Sequence, residues 1–326
     1  MQTNIKTIES LVPVLETVVT KVKNCRLPLD ISKFRSYWSF RSGIFTFSSE
    51  KVMKNETVSK APTAVLYMFP TAAACVGAGS CRELCLNTAG VPMYLKNKIA
   101  CRLRRDKAFR EQTNIFVRNL VIEALKFYRK NASWDRCGLR LNGTSDFPWF
   151  AIPCTITQED SDYCMKAFNI RIEAKRHKSV LEAILFAHDN YLEQLVKEKC
   201  KAYDYTKNIL FEQYLDYIDY LDYHLSLSHG SKFDTFSLSK KLGKNYLAAV
   251  QVSRNADLPK FIKYNGEIFE TFDADTTDFR YDDKSDKMRI GLLRIKRTPN
   301  QTQEKLDKFC IKYETVKPEQ VWQAVK

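Results

Sequence analysis

Three cysteines stand close together in the stretch Pro70–Gly90, PTAAACVGAGSCRELCLNTAG: Cys75, Cys81 and Cys85, spaced C-x5-C-x3-C. Thiolates are soft ligands. Three of them on one loop suit an iron–sulfur cluster that keeps one open iron. Three plus a fourth ligand suit structural zinc. His224 or His229, beside the string YHLSLS, can supply that fourth ligand, whereas Cys101 lies too far along the following helix to serve well. The loop lacks the Cys-x2-Cys knuckles of structural zinc, and Gly77 and Gly79 leave room for a bulky group, which favours iron–sulfur. The plain alternative is a loop of reduced thiols that ligates nothing.

Other reactive groups fall at the ends of strand-like strings. Asp146 follows the turn sequence Gly143-Thr144-Ser145 and can hold a ligand amine or act as a base; an Asx turn that caps its own backbone is the alternative. In Asp204-Tyr205-Thr206-Lys207, alternation places Asp204 and Thr206 on one face and Tyr205 and Lys207 on the other. Lys207 can hold a phosphate or carboxylate, and Asp204 is a second candidate acid or base. Ser145, Thr206, Ser226 and Ser228 supply hydroxyls at the same kind of position. The acidic group Asp273, Asp275, Asp278, Asp282, Asp283 and Asp286 lacks the spacing of a calcium loop; it reads as a solvated loop or as partners for Arg280. A basic run from Lys96 to Arg110 starts just after the cysteines, with only Asp106 against it. At the helical angle Lys98, Arg102 and Arg105 share one face, which suits contact with phosphates.

The elements needed to position these groups are legible in outline. AVLYMF (Ala64–Phe69) is a short apolar run that ends at Pro70, the pattern of a strand buried on both faces. Residues 94–129 repeat apolar positions at helical spacing, as one long helix or as two broken near Gln112. GLRLN, AYDYT, YHLSLS, YLAAVQV and RIGLLRI read as further strands, six in all with the first. Helical patterns separate most of them, the clearest at 179–199, where Ser179 caps and Val180, Ile184, Ala187, Tyr191 and Leu195 form the stripe. Such alternation predicts an α/β fold: a parallel sheet with helices outside, as a partial or full β/α barrel or an open sheet. The working residues then belong on the loops at the carboxyl ends of the strands. EKVMKNETVSK reads as a loop, residues 5–23 as an amphipathic helix, and SYWSF and GIFTF as short strands.

A chain of 326 residues that is 44% hydrophobic and 12% aromatic can bury a large core, which excludes a disordered protein. No apolar run reaches the ~18 residues of a membrane span. The N-terminus lacks a basic leader pattern, so the ten cysteines are expected to be reduced thiols. Cys25, Cys137, Cys154, Cys164, Cys200 and Cys310 are scattered among ordinary residues and read as small buried hydrophobes. The net charge of +14 points to a polyanionic partner, most simply nucleic acid, or else to a lysine-rich surface.

The ordered strings C-x5-C-x3-C-LNTAG, RLNGTSD, YDYTK, HLSLS, DFRYDD and IGLLRIK resemble a family of bacteriophage proteins related to phage gene product 88, over roughly residues 46–296. The resemblance implies a phage-encoded protein of the host cytoplasm. More distantly, the plan resembles radical SAM enzymes, in which the first strand of a six-stranded partial barrel runs into a three-cysteine loop that holds a [4Fe–4S] cluster for S-adenosylmethionine. Their common spacing, C-x3-C-x2-C, is shorter than the one here, and Gly143-Thr144-Ser145-Asp146 stands where they often carry a glycine-rich acidic string. These readings divide the chain into an extension (1–45), a barrel unit with the cysteine loop (46–297) and a tail (298–326). The expected function is a metal-cluster enzyme acting on nucleic acid or a nucleotide. The alternatives are a non-catalytic nucleic-acid-binding protein with structural zinc, or a metal-free host-interaction protein.

Overall fold

A computed structural model describes residues 43–47, 50–88, 92–283, 285–296 and 301–320. The helical reading at 5–23, the string SYWSF and Cys25 lie outside them. One ten-stranded sheet organises the chain. Its strands are β1 (Phe45–Thr46), β2 (Thr63–Leu66), β3 (Cys137–Arg140), β4 (Cys200–Thr206), β5 (His224–Ser228), β6 (Tyr246–Val250), β7 (Phe261–Tyr264), β8 (Glu267–Asp273), β9 (Ile290–Arg294) and β10 (Glu314–Thr315). They lie in the order β1-β2-β3-β4-β5-β6-β9-β8-β7-β10.

All six expected strands are present as β2, β3, β4, β5, β6 and β9, side by side and in chain order. Each pairs in parallel with the next, and β8 adds a further parallel neighbour to β9. The edges are antiparallel: β1 on β2, β7 on β8 and β10 on β7. The described residues show no pairing between β1 and β10. The fold is therefore a mixed α/β structure with a large, mostly parallel, open sheet, and the full barrel considered from the sequence is not formed.

The pleat sorts the sheet into two chemically different faces. Leu66, Leu139, Ala202, Leu225 and Leu227 join the apolar core with Phe116, Leu120 and Val121 of helix α3 (Thr113–Lys130). The break from helix α2 (Pro92–Glu111) falls at Gln112, where the sequence suggested it. The opposite face is polar and also buried. Arg140, Tyr203 and Tyr205 lie there under the segment 274–283 and helix α1 (Glu50–Thr57). Tyr205 OH donates to Asp278 Oδ1 at 2.6 Å, and Arg140 pairs with the other Asp278 oxygen while its guanidinium lies 4.3 Å from the Tyr205 ring centre.

Three expectations need correction. EKVMKNETVSK is mostly helix and not loop. Its Asn55 is fully buried, donating to Thr63 Oγ1 and Tyr203 OH and accepting from Asp278 N at 2.8 Å, so tertiary bonds tie the helix to the sheet and to the segment 274–283. The 179–199 helix shrinks to α4 (Val180–Leu185) and one turn at Val196–Lys199. Between them a small hairpin forms, because Asp189 accepts from Tyr191 N and Arg129 and the expected stripe residue Tyr191 is left 70% exposed. The stretch 253–287 contains the strands β7 and β8. Their hairpin turns at Asn265-Gly266, both with positive φ (50° and 84°), the Asn-Gly signal that favours such turns. The tail is also part of the sheet, because β10 pairs on β7.

Candidate functional site

The loop after β2 is fastened to three successive strand ends. Asp146, after β3, donates its N–H to Ala74 O at 2.9 Å. The Ser231 hydroxyl, after β5, lies within hydrogen-bonding distance of both Gly77 O (3.0 Å) and Lys207 O (2.7 Å), which share its one proton. Lys232 N–H also donates to Gly77 O, and Gly79 N–H to Gly230 O. The glycines permit this close approach. A Cβ on Gly77 would stand 2.1 Å from Lys207 O, and one on Gly79 would stand 2.7 Å from Ser231 C. They leave room for neighbouring backbone and not, as the sequence suggested, for a cluster.

This stitching gathers Cys75, Cys81 and Cys85 with Asp146 and Lys207 at the carboxyl ends of the strands. Burial above all pushes the Cys75 thiol far above its ordinary range, followed by the Asp146 carboxylate and the other two thiols, with Lys207 opposing. Cys85 is raised by burial and lowered by the Asn87 N–H, Lys207 and Arg102. Lys207 Nζ donates to Ser228 Oγ at 2.8 Å. Asp146 Oδ2 accepts from Lys207 N at 2.8 Å, so the carboxylate clasps the following strand's end and not its own turn; burial raises its pKa.

The remaining expected residues divide between this end and elsewhere. Thr206 lies at the same end, bonded to Asn208, and Ser145 turns to Asn142 Oδ1. Ser226 shares the Lys207 face by alternation but sits deeper, fully buried against His224. Asp204 does not face the cysteines. It is fully buried on the helix side and accepts from Leu141 N, Asn142 N and Tyr223 OH. His224 begins β5 at the far end, where a cleft of about 420 Å³ opens between Asp222, His224, Lys244 and Asn245. His229 is at the cysteine end, held by Tyr246 OH at 2.9 Å, and burial lowers its pKa to about 4.

The basic face on α2 is turned inward. Arg102 is only 6% exposed; it donates to Asn87 Oδ1 at 2.6 Å and lies over the Tyr67 ring. Arg105 donates to the carbonyls of Tyr67 and Gly43. Lys98 is part-buried, and burial and Arg102 lower its pKa. These three do not form the open stripe expected for a nucleic-acid backbone, because the strand-end carbonyls draw the guanidinium groups in. The acidic group is likewise taken up by arginines: Asp273 and Asp275 by Arg294, Asp282 by Arg136 and Asp283 by Arg280. Cys137, Cys154, Cys164, Cys200 and Cys310 are buried free thiols, as expected.

The donor set suits a thiolate-held metal group: three soft ligands share one electrostatic neighbourhood with a lysine and an arginine. As arranged, no three Cys, His, Asp or Glu side chains among the described residues stand close enough together to hold a metal ion. The three sulfurs are therefore neighbours and not a converged set. Among the described residues no helix is long and apolar enough to cross a membrane. A family model described as gene product 88 matches residues 44–313. No curated protein matches the chain, and no solved structure does.

Proposed function

The chain belongs to the gene product 88 family, and from that premise we propose that it is a metal-cluster enzyme on a radical-SAM-like partial barrel, acting on a nucleotide or nucleic acid. One observation supports the reading: six parallel strands lie in chain order, and the carboxyl ends of four of them gather Cys75, Cys81, Cys85, Asp146, Lys207 and Ser228. Strands wound in chain order curl toward a barrel whose working end is the carboxyl end.

Cys75, Cys81 and Cys85 are the residues that would hold a [4Fe–4S] cluster. Such a cluster would supply one-electron reducing chemistry, with S-adenosylmethionine as the acceptor. Closing the sulfurs around it is a local change, since Cys81 sits on the short turn Ser80–Arg82 and Cys85 just before Leu86–Thr88. Burial keeps Cys75 and Cys85 as neutral thiols, so metal binding releases protons. Lys207, aimed at Ser228, offers a positive anchor for an anionic substrate group. Asp146 keeps that lysine's backbone in register with the cysteine loop.

The test is protein purified without oxygen. A brown product with about four irons per chain, bleached by dithionite, supports the reading. Each of Cys75→Ala, Cys81→Ala and Cys85→Ala then removes the iron, while Cys310→Ala leaves it. Stoichiometric zinc in place of iron, lost in the same variants, replaces it with a structural zinc site. Protein with no metal after reconstitution refutes both.

A further inference from the structure

Tyr191 is the most exposed large apolar side chain among the described residues, at 70%, yet it is held in place. The Arg129 guanidinium lies 4.8 Å from its ring centre. That guanidinium is itself fixed, donating to Asp189 Oδ1 at 2.5 Å and to Phe168 O at 2.6 Å. Asp189 Oδ1 also accepts from Tyr191 N at 2.9 Å, which sets the tip of the hairpin formed by His188–Asp189 and Gln194–Leu195. The ring adds little to the core, and the cation against it fixes its orientation at the surface. Four of the eleven exposed large apolar side chains, Tyr163, Met165, Tyr191 and Leu192, fall in this one stretch.

Contacts bring further cations to the same tip. Arg171 pairs across the small sheet with His188, whose Nδ1 lies 3.1 Å from Asn190 Oδ1. Asn190 Nδ2 donates to Met165 Sδ at 3.3 Å, which sets the last turn of the helix Gln158–Phe168, with Lys166, against the tip. Lys130 follows Arg129 at the end of α3. Arg171, Lys166 and Lys130 are exposed, and none has a carboxylate partner among the described residues. Glu193 is the one exposed acid on the tip itself.

We propose that this surface binds single-stranded nucleic acid, with a base stacked on Tyr191 and the phosphates on either side of it met by Arg171, Lys166 and Lys130. A ring held at the surface among unpaired cations offers both things that a single strand presents, an open base face and a charged backbone. A duplex hides its base faces, and an acidic protein segment has no use for the ring. The basic face of α2 is turned inward, so a nucleic-acid contact, if the chain makes one, belongs here and not there. The surface rests on the nucleic-acid half of the proposed function and not on the cluster.

The experiment is fluorescence anisotropy of the full chain, metal-free, with a labelled single strand of about 15 nucleotides. The competitors are a duplex of the same sequence and polyglutamate. The single strand is expected to bind more tightly than either. Tyr191→Ala is expected to weaken it by about fivefold to a hundredfold, as for loss of one stacked base, and Tyr191→Phe to keep most of the affinity. Arg171→Gln and Lys166→Gln are each expected to lower the log–log salt slope by about 0.7. Lys263→Gln, at an exposed lysine on β7, leaves both unchanged. Tyr191 is exposed enough to be replaced without unfolding the chain, so its variants decide. Absence of binding at low salt, equal affinity for strand and duplex, or an unchanged affinity in Tyr191→Ala overturns the proposal. Polyglutamate that competes as well as the strand also overturns it, in favour of an acidic protein partner. The iron analysis does not depend on any of these results, so the two readings fail separately.

Discussion

Gly77→Ala tests whether the cysteine loop is held as described. The added methyl would stand 2.1 Å from Lys207 O, 2.3 Å from Lys207 C and 2.8 Å from Asn208 N. All three are backbone atoms, so no side chain can swing aside. Gly77 O also accepts from Lys232 N and Ser231 Oγ, both at 3.0 Å. Overpacking costs about 1–3 kcal/mol, and two lost hydrogen bonds cost about 1 kcal/mol each. If the loop stays docked, overpacking alone costs the variant about 1–3 kcal/mol. If the loop lifts off, it gives up those two hydrogen bonds instead, about 1 kcal/mol each, and Cys75 and Cys85 are uncovered. Urea unfolding reads the first outcome, and the rate of thiol modification in native buffer reads the second. At least one must change. A variant with the wild-type midpoint and the wild-type thiol rate would show that the loop does not rest on the strand end after β4, and the shared site would go with it.

Two further predictions concern the buried charges. Asp278→Asn leaves buried Arg140 with only the more distant Asp204 carboxylate, 3.7 Å from its Nε, and breaking the closer pair costs up to about 3–5 kcal/mol; a loss under about 1 kcal/mol in urea unfolding would show that Asp204 alone balances Arg140. Burial raises the Asp106 carboxyl from an ordinary 3.8 to about 6, with Arg110 opposing. The folded chain therefore keeps this proton longer than the unfolded one. The stability it contributes is complete below the unfolded value and is lost as pH rises through about 6, up to about 3 kcal/mol. Asp106→Asn is expected to flatten the pH dependence of unfolding between these values, and an unchanged slope would refute the shift.

The core strands were legible because their signals are local. A run such as AVLYMF that stops at Pro70, or HLSLS with its alternate hydroxyls, encodes burial and facing in adjacent residues, and parallel pairing follows from the helical patterns between them. The same alternation correctly separated Lys207 from Asp204. It could not say which of the two faces the helices would cover, and so it does not reveal that Asp204 lies buried on the helix side, bonded to Leu141 N, Asn142 N and Tyr223 OH. The β7–β8 hairpin was legible in principle through Asn265-Gly266, but the acidic residues around it suggested a solvated loop. Asp283 is met by Arg280 three residues away, the pairing the sequence offered, but Asp273, Asp275 and Asp282 are balanced by Arg294 and Arg136, which lie beyond any local window.

The inward turn of α2 shows where such reading stops. A helical wheel places Lys98, Arg102 and Arg105 together, and charge on one face ordinarily means solvent. That inference needs an apolar stripe opposite, and residues 92–111 scatter their apolar positions around the helix. With no stripe to choose the buried side, the choice falls to the partners. Tyr67 O, Gly43 O and Asn87 Oδ1 are carbonyls left at strand and loop ends, and they accept what Arg102 and Arg105 donate. Acceptors at the end of a sheet thus draw cations to the place where the cysteines emerge. The positive character of this end follows from the geometry of strand termini together with α2. The net charge of +14 neither requires it nor locates it.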